Sequence, residues 1–145
     1  MSKERSTMLD ENRLKHMLGV ARLCYELAEG SETYKREMWL MGFLHDIGYE
    51  FDENNHAEVG AKLLADTFGV NGISFPIEHH GGPMQFGERM ELLNYADMCI
   101  SPTGERISID ERLKEIESRG KTTIPLKTTL RNNRFAKEEQ NEKEQ

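Results

Sequence analysis

The sequence predicts an all-α fold, and three observations carry that expectation. Apolar residues recur at helical spacing through most of the chain. Serine, asparagine and glycine stand where helices should begin and end, and only Thr122 to Leu130 has strand-like content. One short strand cannot make a sheet. At 145 residues the chain is the length of one ordinary domain with one core. The expectation is a bundle of about six helices in a single domain over residues 1–120. A charged extension follows over 121–145, without fixed structure from about residue 135.

Glu11–Glu29 is the first helix. At 100° per residue, Leu14, Met17, Leu18, Ala21, Tyr25 and Ala28 form one apolar cluster, and Val20, Leu23 and Leu27 a second. His16 heads the second cluster and so points toward protein. The next helix, Glu32 to about Ile47, is apolar nearly all round, with Met38, Trp39, Met41, Phe43 and Leu44, and Gly48 is placed to stop it as a C′ residue. The acidic run Glu50 to Asn55 reads as a loop. Asn55 with Glu58 fits a capping box for a helix through about Phe68. Phe75 to His80 reads as a short helix broken by Gly81-Gly82-Pro83, a break that would also serve as a flexible rim. Glu88–Ile100 turns Leu92, Leu93, Ala96 and Ile100 inward. Ser108 and Glu111 cap a last amphipathic helix with Ile109, Leu113 and Ile116, stopped by Gly120; its apolar residues would support a homodimer.

Composition narrows the function classes. No apolar run approaches the roughly twenty residues of a membrane span, and the start MSKERSTMLDENR is no signal peptide, so a soluble, cytoplasmic protein without a membrane partner is expected. Cys24 and Cys99 stand far apart and read as reduced core residues. The net charge of −7 is unevenly spread: residues 1–110 carry 10 Lys+Arg against 19 Asp+Glu, whereas 111–137 carry 8 against 3. An acidic body argues against duplex nucleic acid as a partner. The basic stretch is either a solvated face or the side turned to an anionic ligand.

His16, His45, Asp46, His56, His79 or His80, and Asp97 all fall in or at the mouth of an expected helix, several among apolar neighbours. Singly, each has an ordinary reading: a hydrogen-bonded core histidine, an exposed turn, or Asp97 paired with Arg22 or Arg89. Jointly they pose a problem, since a buried carboxylate without a partner would rather take up a proton. A divalent cation held by imidazoles and carboxylates from facing helices removes that problem.

The pattern His16 … His45-Asp46 … Asp97, with the strings FLHDIG, HAEVGAKLL and IEHH, resembles the HD-domain superfamily of metal-dependent phosphohydrolases over about Lys15 to Pro102. The additional histidines make it similar to the two-metal members, above all the HD-type diadenosine tetraphosphate hydrolases. HHGGPMQFG lacks the G-Y-P loop of the HD-GYP cyclic dinucleotide phosphodiesterases. The resemblance implies an HD-domain helical bundle in which His16, His45, Asp46 and Asp97 hold one metal. Asp46 bridges to a second metal held by His56 and His80, with His79 as the alternative to His80. His45 and Asp46 would be the catalytic pair, and the cofactors two divalent ions, Fe, Mn, Zn or Ni, with Mg also admissible. The substrate would be a nucleotide or other small phosphorylated metabolite, attacked by metal-activated water. Lys62, Arg89 and Arg106 are the candidate substrate-binding cations, and Glu50, Asp52 or Glu53 would supply a general acid. Two other functions suit the same residues: a di-iron oxygenase on this fold, and a non-catalytic metal- or nucleotide-binding module.

Overall fold

The computed structural model describes residues 10–51, 54–68, 71–82 and 85–144; among these the chain forms eight α-helices and one 3-10 turn, with no strand. The opening segment before Asp10, the loop acids Asp52 and Glu53, and Pro83 of the expected rim lie outside the described residues. None of the described helices is long and apolar enough to cross a membrane.

Helices α1 (Glu11–Leu27) and α2 (Glu32–Leu44) start where side chains cap them, Asp10 accepting from Arg13 N and Ser31 from Tyr34 N. They approach closely because residue 42 is glycine: a Cβ there would stand 2.9 Å from Ala21 Cα. Helix α2 ends at His45, earlier than expected, and Ile47–Glu50 is a 3-10 turn. Gly48 therefore lies within that turn and does not end α2 as a C′ residue. It is there for space, since a Cβ would fall 1.7 Å from the carbonyl oxygen of His56. Helix α3 (His56–Phe68) packs on the turn through this contact and leads into α4 (Asn71–Glu78), which starts before the expected Phe75. Pro76 inside α4 lacks the N–H that Gly72 O would accept; Arg89 fills the gap, Nη1 donating to Gly72 O at 3.0 Å.

Helix α5 (Glu88–Met98) runs through the centre, with seven buried residues. Its apolar neighbours make the main core: Val20 and Leu23 of α1, Met38 and Met41 of α2, Leu64 of α3, and Ile73 and Ile77 of α4. Cys24 and Cys99 are free and buried there, and burial pushes the Cys99 thiol up to about 11. A second cluster joins Met98 to Leu113 and Ile116 of α6 (Ile109–Ser118), whose capping box Ser108/Glu111 is present. The apolar face expected to support a homodimer is thus covered within the chain.

The C-terminal residues differ from expectation. Thr122 to Leu130, read as strand-like, contains helix α7 (Ile124–Arg131), because Pro125 occupies the first turn, where its fixed φ and missing N–H suit a helix. The charged tail read as unstructured forms α8 (Arg134–Glu144). Phe135 anchors α8 in the main core, and buried Asn133 caps it, Oδ1 accepting from Phe135 N (3.0 Å) and Ala136 N (3.2 Å).

Candidate metal centre

Three histidines are oriented by one device. His16 on α1 donates from Nδ1 to Ser101 O (2.9 Å), His45 at the end of α2 to Gly42 O (2.7 Å), and His80 beyond α4 to Ile77 O (2.5 Å). A carbonyl only accepts, so in the neutral rings the proton sits on Nδ1 and Nε2 presents a lone pair. For His16 the acceptor is delivered by the loop after α5. Gly104, at φ +92°, lets that loop lie on α1, where a Cβ would come 2.6 Å from Lys15 O.

These nitrogens converge on two carboxylates. Asp97 Oδ1 is 2.8 Å from His16 Nε2 and 3.3 Å from His45 Nε2. Asp46 turns its oxygens to two different groups. Oδ2 is 3.1 Å from His45 Nε2 and 3.8 Å from His16 Nε2, while Oδ1 is 3.5 Å from His56 Nε2 and 3.4 Å from His80 Nε2. The His56 and His80 Nε2 atoms stand 3.2 Å apart. Arg13 Nη1 reaches Asp46 Oδ2 at 3.2 Å, and its guanidinium covers Tyr49, whose ring stacks on His56 with centroids 3.9 Å apart.

Lone pairs aimed at carboxylates repel unless a proton or a cation lies between them. His45 Nε2 is buried without a hydrogen-bond partner among the described residues, although two carboxylate oxygens lie within 3.3 Å, because neither lies where an N–H would point. His16 Nε2 and Asp97 Oδ1, 2.8 Å apart, are placed for a direct hydrogen bond, whereas the close but misaligned contacts of His45 Nε2 fit a shared ion. Ligand atoms of His16, His45 and Asp46, of His45, His80 and Asp97, and of Asp46, His56 and His80 each lie within 4.8 Å of one another. Without an ion the protons redistribute. Burial lowers the His45 pKa, but Asp46 and Asp97 outweigh it and hold it well above the usual imidazole value. Burial likewise opposes ionisation of Asp46 and Asp97, yet His45 keeps both well below the usual carboxylate range. Burial, with His80 beside it, lowers His56 to about 4 and leaves it neutral.

Comparison with known proteins bears on the same residues. The family model of the HD domain matches residues 13–115, from beside His16 to beyond Asp97. The chain belongs to the HD-domain family. Members of that family are generally metal-dependent phosphohydrolases. A curated relative, "Ribonuclease Y" of Lawsonia intracellularis (strain PHE/MN1-00), is 30% identical over 122 residues, covering 77% of this chain and 24% of that protein. The chain thus spans about a quarter of that relative's length. No solved structure matches.

In this HD domain a cavity of about 350 Å³ opens over the convergent donors. Arg13, Tyr49, Arg112, Arg119 and Lys121 line it together with the donors, and so do Thr122, Pro125 and Leu126. A slightly larger cavity, about 390 Å³, lies behind His80 with Phe75 and Phe86 in its lining; that lining is mainly apolar and holds one of the convergent residues, so the convergent donors face the smaller cavity.

The sequence-expected residues divide plainly. His16, His45, Asp46, His56, His80 and Asp97 come together. His79 turns outward to Glu78 at 3.0 Å, leaving His80 at the centre. Asp97 faces Arg112 Nη2 at 3.9 Å and neither Arg22 nor Arg89. Of the expected substrate cations, Lys62 pairs with Asp66 at 2.8 Å, Arg89 with Glu37 and Gly72 O, and Arg106 is exposed beside its bridge to Ile100; none lines the cavity. Glu50 closes the 3-10 turn and also lies off its lining. Sequence reasoning missed Arg13 and Tyr49, and placed Arg112, Arg119 and Lys121 only within a basic stretch that is either a solvated face or the side turned to an anionic ligand. Two of them left a signal: Arg13 stands one turn before His16, and Arg112 interrupts the apolar stripe Ile109, Leu113, Ile116.

Proposed function

We propose that this HD domain is a phosphohydrolase that uses two divalent cations to hydrolyse a phosphate ester or anhydride of a small metabolite. The observation that supports this most is Asp46, whose two oxygens face separate histidine sets. His16, His45, Asp46 and Asp97 would hold one cation, and Asp46, His56 and His80 the other; imidazole with carboxylate suits Mn, Fe, Zn or Ni. Bound there, two cations acidify a water and neutralise the phosphoryl oxygens. In the reaction a water oxygen bonds to phosphorus as the bond to the leaving oxygen breaks, and a proton ends on that oxygen. The chain's own residues orient the site. Backbone carbonyls fix the His16, His45 and His80 rings, Tyr49 braces the His56 ring, and Arg13 holds Asp46 Oδ2.

The printed name of the relative raises RNA as a substrate. The 350 Å³ cavity, at the low end of small-ligand sites, favours a small metabolite. The test is phosphate release from a panel of phosphate monoesters and anhydrides under added Mn²⁺, for wild type and His56→Gln. Release by wild type, with kcat at least about 100-fold lower in the variant, supports the reading. Iron-dependent oxygen consumption without phosphate release would instead establish the oxygenase alternative.

A further inference from the structure

We infer that Arg112, Arg119 and Lys121, in the lining of the cavity over the convergent donors, form a recognition site for a second phosphate, so that the substrate is a small molecule carrying two phosphate groups a few bonds apart. The inference rests on the phosphohydrolase reading and names its substrate class. The chain is acidic, with a net charge of −7, yet the lining of this cavity holds Arg112, Arg119 and Lys121 in addition to Arg13. They come from the one basic stretch of the sequence. Three of that stretch's cations line the cavity over the centre.

Arg112 is the anchor. It is 8% exposed, Nη2 lies 3.9 Å from Asp97 Oδ1, and Nε is buried without a partner among the described residues. An arginine with a buried, unmatched donor is costly unless something accepts from it. Glu115, on the next turn, fixes its direction: Oε2 accepts from Arg112 Nη1 at 2.8 Å, and Oε1 lies 2.7 Å from Arg119 Nε. One carboxylate therefore holds two guanidiniums side by side and neutralises only one of them. Lys121 adds a third cation to the wall. A single phosphate at the cations of the centre would leave this wall unmatched. A second phosphate a few bonds away would meet it with charge-assisted hydrogen bonds.

The test uses the full chain in Mn²⁺ and non-hydrolysable probes, propylphosphonate and propane-1,3-bisphosphonate, titrated by calorimetry. The ratio of their dissociation constants is the readout. In wild type the bisphosphonate binds about tenfold tighter or more, the size of one charge-assisted hydrogen bond. In Arg119→Gln/Lys121→Gln, two exposed positions whose change leaves the core intact, the ratio falls to about threefold or less. Lys114→Gln removes one charge from the exposed face of the same helix, off the cavity lining, and keeps the wild-type ratio. A wild-type ratio near the statistical factor of about two overturns the inference, as does a ratio that the double variant does not change. Binding of a single-stranded oligoribonucleotide about tenfold tighter than the bisphosphonate overturns it in favour of RNA. If neither phosphonate binds the Mn²⁺-loaded protein, the phosphohydrolase reading itself fails, and the inference with it.

Discussion

His45 connects burial to function at the scale of one residue. Its Nδ1–H is committed to Gly42 O, and its Nε2 faces Asp46 and Asp97. In the metal-free protein those carboxylates raise its pKa well above 6.5, so at neutral pH the ring carries a proton on Nε2. A cation bound there, as proposed, would take the neutral ring and would have to expel that proton. Affinity for Mn²⁺ therefore rises with pH up to the raised pKa and falls by about tenfold per pH unit below it. Calorimetry in buffers of different ionisation enthalpy should show release of about one proton per protein near pH 7; uptake, or no exchange, would show that the ring is neutral before the metal arrives. At this scale the sequence was informative about which histidines and aspartates converge and poor about the cations beside them. A histidine or aspartate in an apolar run is conspicuous because burying it needs a reason. Arg112 and Arg119 lie beyond the centre in sequence, on an amphipathic helix and its C-cap, and only the packing of α6 against α5 buries Arg112 beside Asp97.

Helix placement decides which ligands meet. Gly48 lets the 3-10 turn touch the start of α3, and that contact sets His56 across from His80. Gly48→Ala forces α3 away, since the new Cβ would sit 1.7 Å from His56 O. The expected cost is on the order of 3 kcal/mol. The His16, His45 and Asp97 group lies on α1, at the end of α2 and on α5, away from this contact, and is linked to the turn only through Asp46, the residue before it. Metal analysis of G48A should accordingly find about one ion per chain and wild type about two; equal loss of both ions would show that the groups are not separately built. The helices were legible from periodicity and caps, as Ser108 with Glu111 shows. Their ends were less so, because Gly48 signals both a stop and a close approach and the local sequence does not distinguish these.

Across the whole molecule, the C-terminal residues are tied to the centre through a polar network. Gln85 Nε2 donates to Thr129 O (2.9 Å) and its Oε1 accepts from Asn94 (3.2 Å) and Asn133 (3.1 Å), while Thr129 Oγ1 donates to Gly82 O (2.9 Å). Asn94 Oδ1 accepts from Gly81 N at 3.0 Å, so the loop just after His80 is held by α5 and α7 together. Asn133 is fully buried and uses both ends of its amide. Asn133→Ala should cost about 2–3 kcal/mol in denaturant unfolding, from donors and acceptors left unsatisfied and a lost cap; a change under about 0.5 kcal/mol would mean that the network carries no stability. These contacts were invisible in the sequence because a tail rich in Glu, Lys and Gln looks like solvated coil. Its one large apolar side chain, Phe135, is enough to seat it.

The proposed function requires Asp46 to join two cation sites. Metal content of wild type and Asp46→Asn after dialysis against limiting Mn²⁺ tests it most directly, because asparagine keeps the shape and removes the charge. Wild type should hold about two ions per chain and the variant fewer than one, with far-UV circular dichroism unchanged. Wild type without bound metal, or a variant that keeps both ions, would contradict it.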